Sequence, residues 1–316
     1  MIYKNLYIIG NGFDIYHGIP CGFLNFKDWV KEHDAVLYFR LLKVYKYVWD
    51  DDWWSAFETS LGKLNISYYA NEIGNLYDPE YVKDGTIEER TKCASIKVTE
   101  EFTKIRDALR TDFQQWLIEA YRKCNIDRII QLFDESRFLS FNYTKTLEDV
   151  YGINSKQICH IHGIIDDKDS MIVGHGLGLE EFNDVLDCQK LRVEAEIFYK
   201  GFKTELQYVT PPHKELTEQS TIYSLSALQK NVKGCMQKNE KFFNDILDVQ
   251  RIYAYGFSFS PIDMPYIEKI IRRTKPETHW VISYYSQEDK RRIMDFIVHY
   301  NIPNFTMING IKANIL

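Results

Sequence analysis

The sequence predicts an α/β fold: a parallel sheet of short buried strands carrying two large helical insertions. Three observations predict it. Apolar runs of strand length recur along the chain, several run straight into glycine, and the C-terminal part alternates strand, helix, strand, helix. Strands buried on both faces read as continuous apolar runs rather than alternating ones, which is the pattern of a parallel sheet covered by helices.

Leu6–Tyr7–Ile8–Ile9 is the first such run and ends in Gly10–Asn11–Gly12, a strand feeding a glycine turn. Residues 137–141, 157–161, 171–173, 251–255 and 279–283 share its length and composition, so five or six strands are expected. In about residues 26 to 135 and 179 to 248 the apolar spacing is helical with no comparable strand run. These stretches are read as helical insertions in a single domain spanning residues 1–316. Asp50–Asp51–Asp52 before Trp53 and Trp54 is an acidic helix start, where backbone dipoles favour carboxylates. Asn75 to Thr91, polar with Pro79 and Gly85, reads as a loop within the first insertion. Ile262 to Arg273 and Ser286 to Tyr300 have helical spacing after strands, and right-handed crossovers place such helices against a shared parallel sheet.

With 45% hydrophobic and 27% charged residues over 316 positions, the chain has apolar material for one substantial core. A net charge of -6, from 39 Lys plus Arg against 45 Asp plus Glu, supplies no global positive field, so nucleic acid and membrane are not expected partners. Local basic patches stay open. The six cysteines include no C-x-x-C pair, so no structural zinc is expected. No stretch approaches the roughly 20 apolar residues of a spanning helix, and the N-terminus lacks the pattern of a signal peptide. A cytoplasmic location with free, buried thiols is expected.

Gly10 and Gly12 place two residues without Cβ where a backbone can approach a phosphate, and the following helix would aim N–H groups at it. A tight turn without ligand has the same signature. The third glycine of the dinucleotide fingerprint is missing, since position 15 is Ile15 and the next glycine is Gly18. Asp14 reads either as a helix cap or as a carboxylate turned toward ribose or a cation. Asn142 follows a predicted strand, where ligands bind in open α/β sheets, and its residue type equally suits a helix cap. His160 and His162 alternate onto one strand face. An imidazole titrates near neutral pH and Gly163 leaves room beside the ring, so His162 is the candidate proton-transfer group and His160 is read as structural. His175 lies between Gly174 and Gly176 in a predicted turn. A metal held by His17, His162 and His175 lacks any supporting spacing, and none is expected. After residues 251–255 come Gly256, Ser258 and Asp263. The G-x-S-x-G elbow fails at Ser260, and Ser258 and Asp263 read equally as caps of the next helix.

Gly10–Asn11–Gly12–Phe13–Asp14, then His17–Gly18 and Pro20, and later Gly174–His175–Gly176, are similar to the pattern of the AbiH family of bacterial phage-resistance proteins. Gly10, Gly12, Gly18–Ile19–Pro20, Asn142–Tyr143, His162–Gly163 and the Gly256-x-Ser258 turn also resemble the wider sirtuin-like group of nucleotide-binding folds. Asp14 stands where sirtuins usually carry a hydroxyl residue, and Thr144 where they carry aspartate. The resemblance implies a Rossmann-like, sirtuin-like parallel sheet and an antiphage abortive-infection effector. It implies NAD as substrate or ligand, with cleavage of the N-glycosidic bond releasing nicotinamide. Asn142 and His162 are then catalytic; Gly10, Asn11, Gly12, Asp14, His17, Gly256, Ser258 and Asp263 hold the nucleotide; His175 and Thr144 are further candidates. The missing zinc knuckle, normal in sirtuin deacylases, favours glycohydrolysis. Two alternatives stay open: a non-catalytic module sensing a nucleotide or phage component, assembling with itself or a partner defence protein, and a metal-dependent nuclease using Asp14, Glu58 and the histidines.

Overall fold

In the computed structural model, residues 3–45, 47–75, 86–178, 180–182 and 212–311 are described. Six strands form one all-parallel sheet: β1 (Asn5–Ile9), β2 (Ser136–Ser140), β3 (Ile158–His160), β4 (Arg251–Tyr255), β5 (His279–Tyr284) and β6 (Phe305–Asn309). Their spatial order is β3-β2-β1-β4-β5-β6. The chain starts mid-sheet, builds outward through β2 to β3, then returns to β1's other side for β4, β5 and β6. The winding therefore reverses between β1 and β4, and in open α/β sheets the ligand crevice lies outside the carboxyl ends of the strands at such a reversal. Ile9 is level with Ser140 on one side and Tyr255 on the other, so Gly10, Phe141 and Gly256 leave the sheet side by side.

Both faces are buried, which is why the strands read as apolar runs. Leu6, Ile8, Leu139, Ile252, Ala254 and Ile282 enter one apolar cluster; Tyr7, Ile9, Phe138, Tyr253, Tyr255 and Val281 enter the other.

Among the described residues the helices are α1 (Asn11–Tyr16), α2 (Phe23–His33), α3 (Ala35–Val44), α4 (Asp51–Ser55), α5 (Phe57–Leu61), α6 (Ile66–Asn75) and α7 (Ile87–Tyr121). They continue with α8 (Thr146–Asp149), α9 (Pro212–Ser226), α10 (Val232–Lys238), α11 (Glu240–Asn244), α12 (Met264–Arg273) and α13 (Gln287–His299). α12 and α13 cover one sheet face with Ile267, Ile270, Ile293 and Phe296. α13 begins with a capping box between Ser286 and Asp289, and Asp50 caps α4 by accepting from the Asp52 N–H at 3.0 Å. No helix among the described residues is long and apolar enough to cross a membrane.

The chain divides into two compact units. The first comprises Met1–Phe26, Thr111–Ile172 and Asn231–Leu316 and contains the sheet; the second comprises Lys27–Arg110 and Val173–Lys230. In the second, α9 packs along α6, and Trp54 stacks on Phe57 with ring centroids 5.4 Å apart.

The structure departs from the sequence expectations at several places. Residues 171–173 form no strand: Ile172 donates its N–H to the His162 carbonyl at 2.9 Å, folding the segment back on the end of β3. β6 was not anticipated, because this edge strand is only partly buried and carries Thr306 and Asn309 among its apolar residues. Within Asn75 to Thr91, Asn75 closes α6, residues 76–85 lie outside the described ones, and Ile87 to Thr91 begin α7. There Thr86 accepts from the Glu89 N–H while Glu89 accepts from the Thr86 N–H. In the second helical stretch, residues 183–211 lie outside the described ones. Of the expected free, buried thiols, Cys21, Cys159 and Cys235 are buried, Cys124 is partly buried and Cys93 is exposed; Cys188 lies outside the described residues.

Candidate functional site

The glycines after β1 and β4 answer one another. Gly10 donates to the Tyr255 carbonyl at 3.0 Å and Gly12 to the Gly256 carbonyl at 2.9 Å. A Cβ on Gly10 would lie 2.5 Å from the Gly256 oxygen, and one on Gly12 2.7 Å from the Gly256 Cα. Gly256 itself has φ +61°, and its Cβ would lie 2.2 Å from the Phe13 nitrogen. Backbone meeting backbone thus accounts for all three glycines. The N–H groups of Gly12 and Phe13 are spent inside the protein, the latter on Gly10 at 2.9 Å.

Asn11 and His17 brace the same turn. Asn11 Nδ2 donates to the Cys21 carbonyl at 2.9 Å, and Cys21 Sγ donates to Asn11 Oδ1 at 2.7 Å. The fully buried His17 ring sets Nδ1 2.7 Å from the Phe13 carbonyl and Nε2 2.8 Å from the Tyr151 hydroxyl. Burial holds this imidazole below its ordinary pKa.

Asp14 is not a cap; Gly10 occupies that position. Its carboxylate is buried and accepts from Thr144 Oγ1 at 2.6 Å and Thr146 Oγ1 at 2.8 Å. Burial raises its pKa to about 6, while the threonine hydroxyls and Asn142 pull it back toward the carboxylate range. Asn142 does not cap a helix either, since Lys145 precedes α8. Its Nδ2 donates to the Gly10 carbonyl at 3.0 Å, tying the ends of β1 and β2 together.

The two histidines of the β3 motif do not share a face. β3 stops at His160 and the chain turns at Ile161 and His162, so the alternation ends there. His160 sets Nδ1 3.3 Å from the Asn142 carbonyl and Nε2 2.9 Å from Glu148 Oε1. His162 is buried with its ring centroid 5.4 Å from Phe141 and 5.5 Å from Tyr266, and its Nε2 lies 3.6 Å from Asp263 Oδ1. Asp263 precedes α12 but its side chain makes no capping bond. Gly163 does not leave room for a substrate: at φ +88° its Cβ would lie 2.1 Å from the Ser170 carbonyl oxygen. Ser258 is exposed and does not stand at the cap of α12.

The second unit holds His175. Leu177 donates its N–H to Nδ1 at 3.2 Å, so the proton sits on Nε2, which donates to the Leu225 carbonyl at 2.9 Å. Gly174 is required because a Cβ there would lie 1.9 Å from the Leu228 oxygen. The Gly-His-Gly motif therefore fastens the residues after α9. Glu58 pairs with the buried Lys230 at 2.7 Å. Among the described residues no group of three His, Cys, Asp or Glu is placed to hold a metal.

Sequence reasoning passed over Thr146 and Glu148. The signal was present in Thr144-x-Thr146-x-Glu148, whose polar positions recur at every second residue just beyond a buried strand.

These features define an α/β protein in which a carboxylate, an amide and two imidazole–carboxylate pairs gather around the carboxyl ends of β1 to β4. The family model of bacteriophage abortive infection AbiH matches residues 6–284, and the chain belongs to that family. A role in abortive phage infection follows from membership. No curated protein and no solved structure matches the chain.

Proposed function

We propose that the first unit is an NAD-hydrolysing effector of abortive infection, with a Rossmann-like, sirtuin-like sheet that takes the nucleotide where its winding reverses. The observation carrying this reading is the His162–Asp263 pair, an imidazole just past β3 and a carboxylate just before α12 that lie 3.6 Å apart, buried beside aromatic rings. A carboxylate at that distance steadies positive charge on the ring, which suits the imidazole to take a proton from water as charge develops on the ribose.

In the reaction the bond from the ribose anomeric carbon to nicotinamide breaks, and nicotinamide leaves with the bonding pair. Water forms the new carbon–oxygen bond and its proton passes to His162. Asn142, held through Nδ2 by Gly10, orients that water, positioning being worth as much as proton transfer. The two departures from the sirtuin-like pattern face each other. Hydroxyl and carboxylate have exchanged places, and Thr144 and Asp14 meet at 2.6 Å.

The test is nicotinamide release from NAD by the wild type, His162→Ala and Asp263→Asn proteins, each with and without lysate from phage-infected cells. Release by the wild type, reduced roughly 10²- to 10⁴-fold in the His162 variant, is expected. Silence in every sample, with NAD bound tightly, sinks hydrolysis in favour of a sensing module. One observation favours that second reading: Asn11, Asp14, His17 and the Asn142 amide all spend polar groups on protein partners.

A further inference from the structure

The second unit contains a cavity of about 1210 Å³, larger than the roughly 300–1,000 Å³ of small-molecule sites. Its lining is drawn from α3, α6, α7 and the residues between α3 and α6. α3 turns Leu37 and Leu41 into the core, while Phe39 and Lys43, one turn apart, line the cavity together with the buried Val44. Two aromatic residues of the lining are well exposed: Phe39 at 61% and Tyr68 at 59%. Rings this large are normally buried, and two exposed in the lining of one cavity mark a surface for a planar partner.

The charge of the lining is opposite to that of the chain. Five basic side chains stand there against two acidic ones, in a protein of net charge -6. Arg40 is neutralised by Glu101 at 2.6 Å, and Lys97 by Glu100 at 3.3 Å. Lys43, Lys63 and Lys104 are exposed, and none has an acidic partner among the described residues.

We propose that this groove binds single-stranded nucleic acid, stacking bases on Phe39 and Tyr68 and setting phosphates against Lys43, Lys63 and Lys104. Stacking platforms interleaved with unpaired cations are what unpaired bases on a phosphate backbone require, and a duplex hides its base faces from them. An acidic peptide would use the lysines and leave the rings idle. The site is independent of nucleotide hydrolysis in the first unit.

Anisotropy of fluorescein-labelled 12-mers of mixed sequence, as single-stranded DNA, single-stranded RNA and duplex DNA, tests this on the full chain. Both single strands are expected to bind better than the duplex. Tighter RNA than DNA would assign the natural ligand to RNA through its 2′-hydroxyls; equal binding would assign it to the shared backbone and bases. With three phosphate contacts, the logarithm of affinity should fall against the logarithm of salt with a slope of about −2, flattened in the Lys43→Gln, Lys63→Gln, Lys104→Gln protein. Tyr68→Ala should weaken binding roughly fivefold or more, and Tyr68→Phe should restore it. Circular dichroism checks that each variant is folded. Absence of binding to both single strands, equal affinity for duplex, affinity unchanged in folded groove variants, or equal displacement by poly-glutamate overturns the proposal.

Discussion

Gly12 donates its backbone N–H to the carbonyl of Gly256 at 2.9 Å, so the turns after β1 and β4 lie against each other where the winding of the sheet reverses. Two motifs at opposite ends of the chain are thereby one structural feature. The first prediction separates close approach from backbone conformation. Gly152 has φ +64° with nothing within 4 Å of an added Cβ, so Gly152→Ala should cost only the left-handed strain, about 1 kcal/mol. Gly256→Ala has the same strain plus a Cβ 2.2 Å from the Phe13 nitrogen, and should lose at least about 3 kcal/mol. Urea midpoints of the two variants read the difference; equal midpoints would contradict the packing account.

Asp14 makes stability depend on pH. Its folded pKa of about 6 lies above its ordinary 3.8 because the carboxyl is buried. A raised carboxyl pKa means that the folded state holds more protons than the unfolded state between those values, so stability falls as pH rises from about 4 to about 6. The penalty reaches about 3 kcal/mol above that window and is absent below it. Unfolding free energies of Asp14→Asn and wild type, measured across pH 4 to 7, should diverge by that amount in favour of the variant as pH rises. Thr144→Val removes a hydroxyl that lowers this pKa and should push the window upward.

His162 and Asp263 are predicted to act as one device. If the carboxylate works only by holding and charging the ring, then His162→Ala, Asp263→Asn and the double variant should lose nicotinamide release to a similar extent. Strictly multiplying losses would mean that the two groups act separately.

Lys230 and Glu58 test a buried ion pair in the second unit. The lysine side chain is 2% exposed and pairs with Glu58 at 2.7 Å, its one charged contact among the described residues. Glu58→Gln strands that ammonium and should cost about 3–5 kcal/mol. Adding Lys230→Met should recover most of the loss, since two uncharged groups carry no desolvation debt. A double variant no more stable than Glu58→Gln would show that the lysine is held by something else.

The parallel α/β class is legible in the sequence, because strands buried on both faces read as apolar runs, and β1, the Phe138–Leu139 centre of β2 and most of β4 and β5 carry that record. The sequence by itself also determined where chemistry-bearing residues cluster, since residues that leave parallel strands at their carboxyl ends emerge at the same edge. Half-buried β6 left no such record, and residues 171–173 had a strand's composition without a strand's pairing. Tertiary structure alone decided what the motif residues face. Asp14 finds Thr144 and Thr146 only because β1 and β2 are neighbours, and Gly10 and Gly12 owe their lack of Cβ to Gly256 on the other flank of β1. His162 parts from His160 because β3 ends between them, and a strand end is set by hydrogen bonds to neighbouring chain segments rather than by local residue types. Periodicity and turn chemistry act over a few residues and can be read along the chain. Partnership across more than a hundred residues depends on the order in which the strands are laid down.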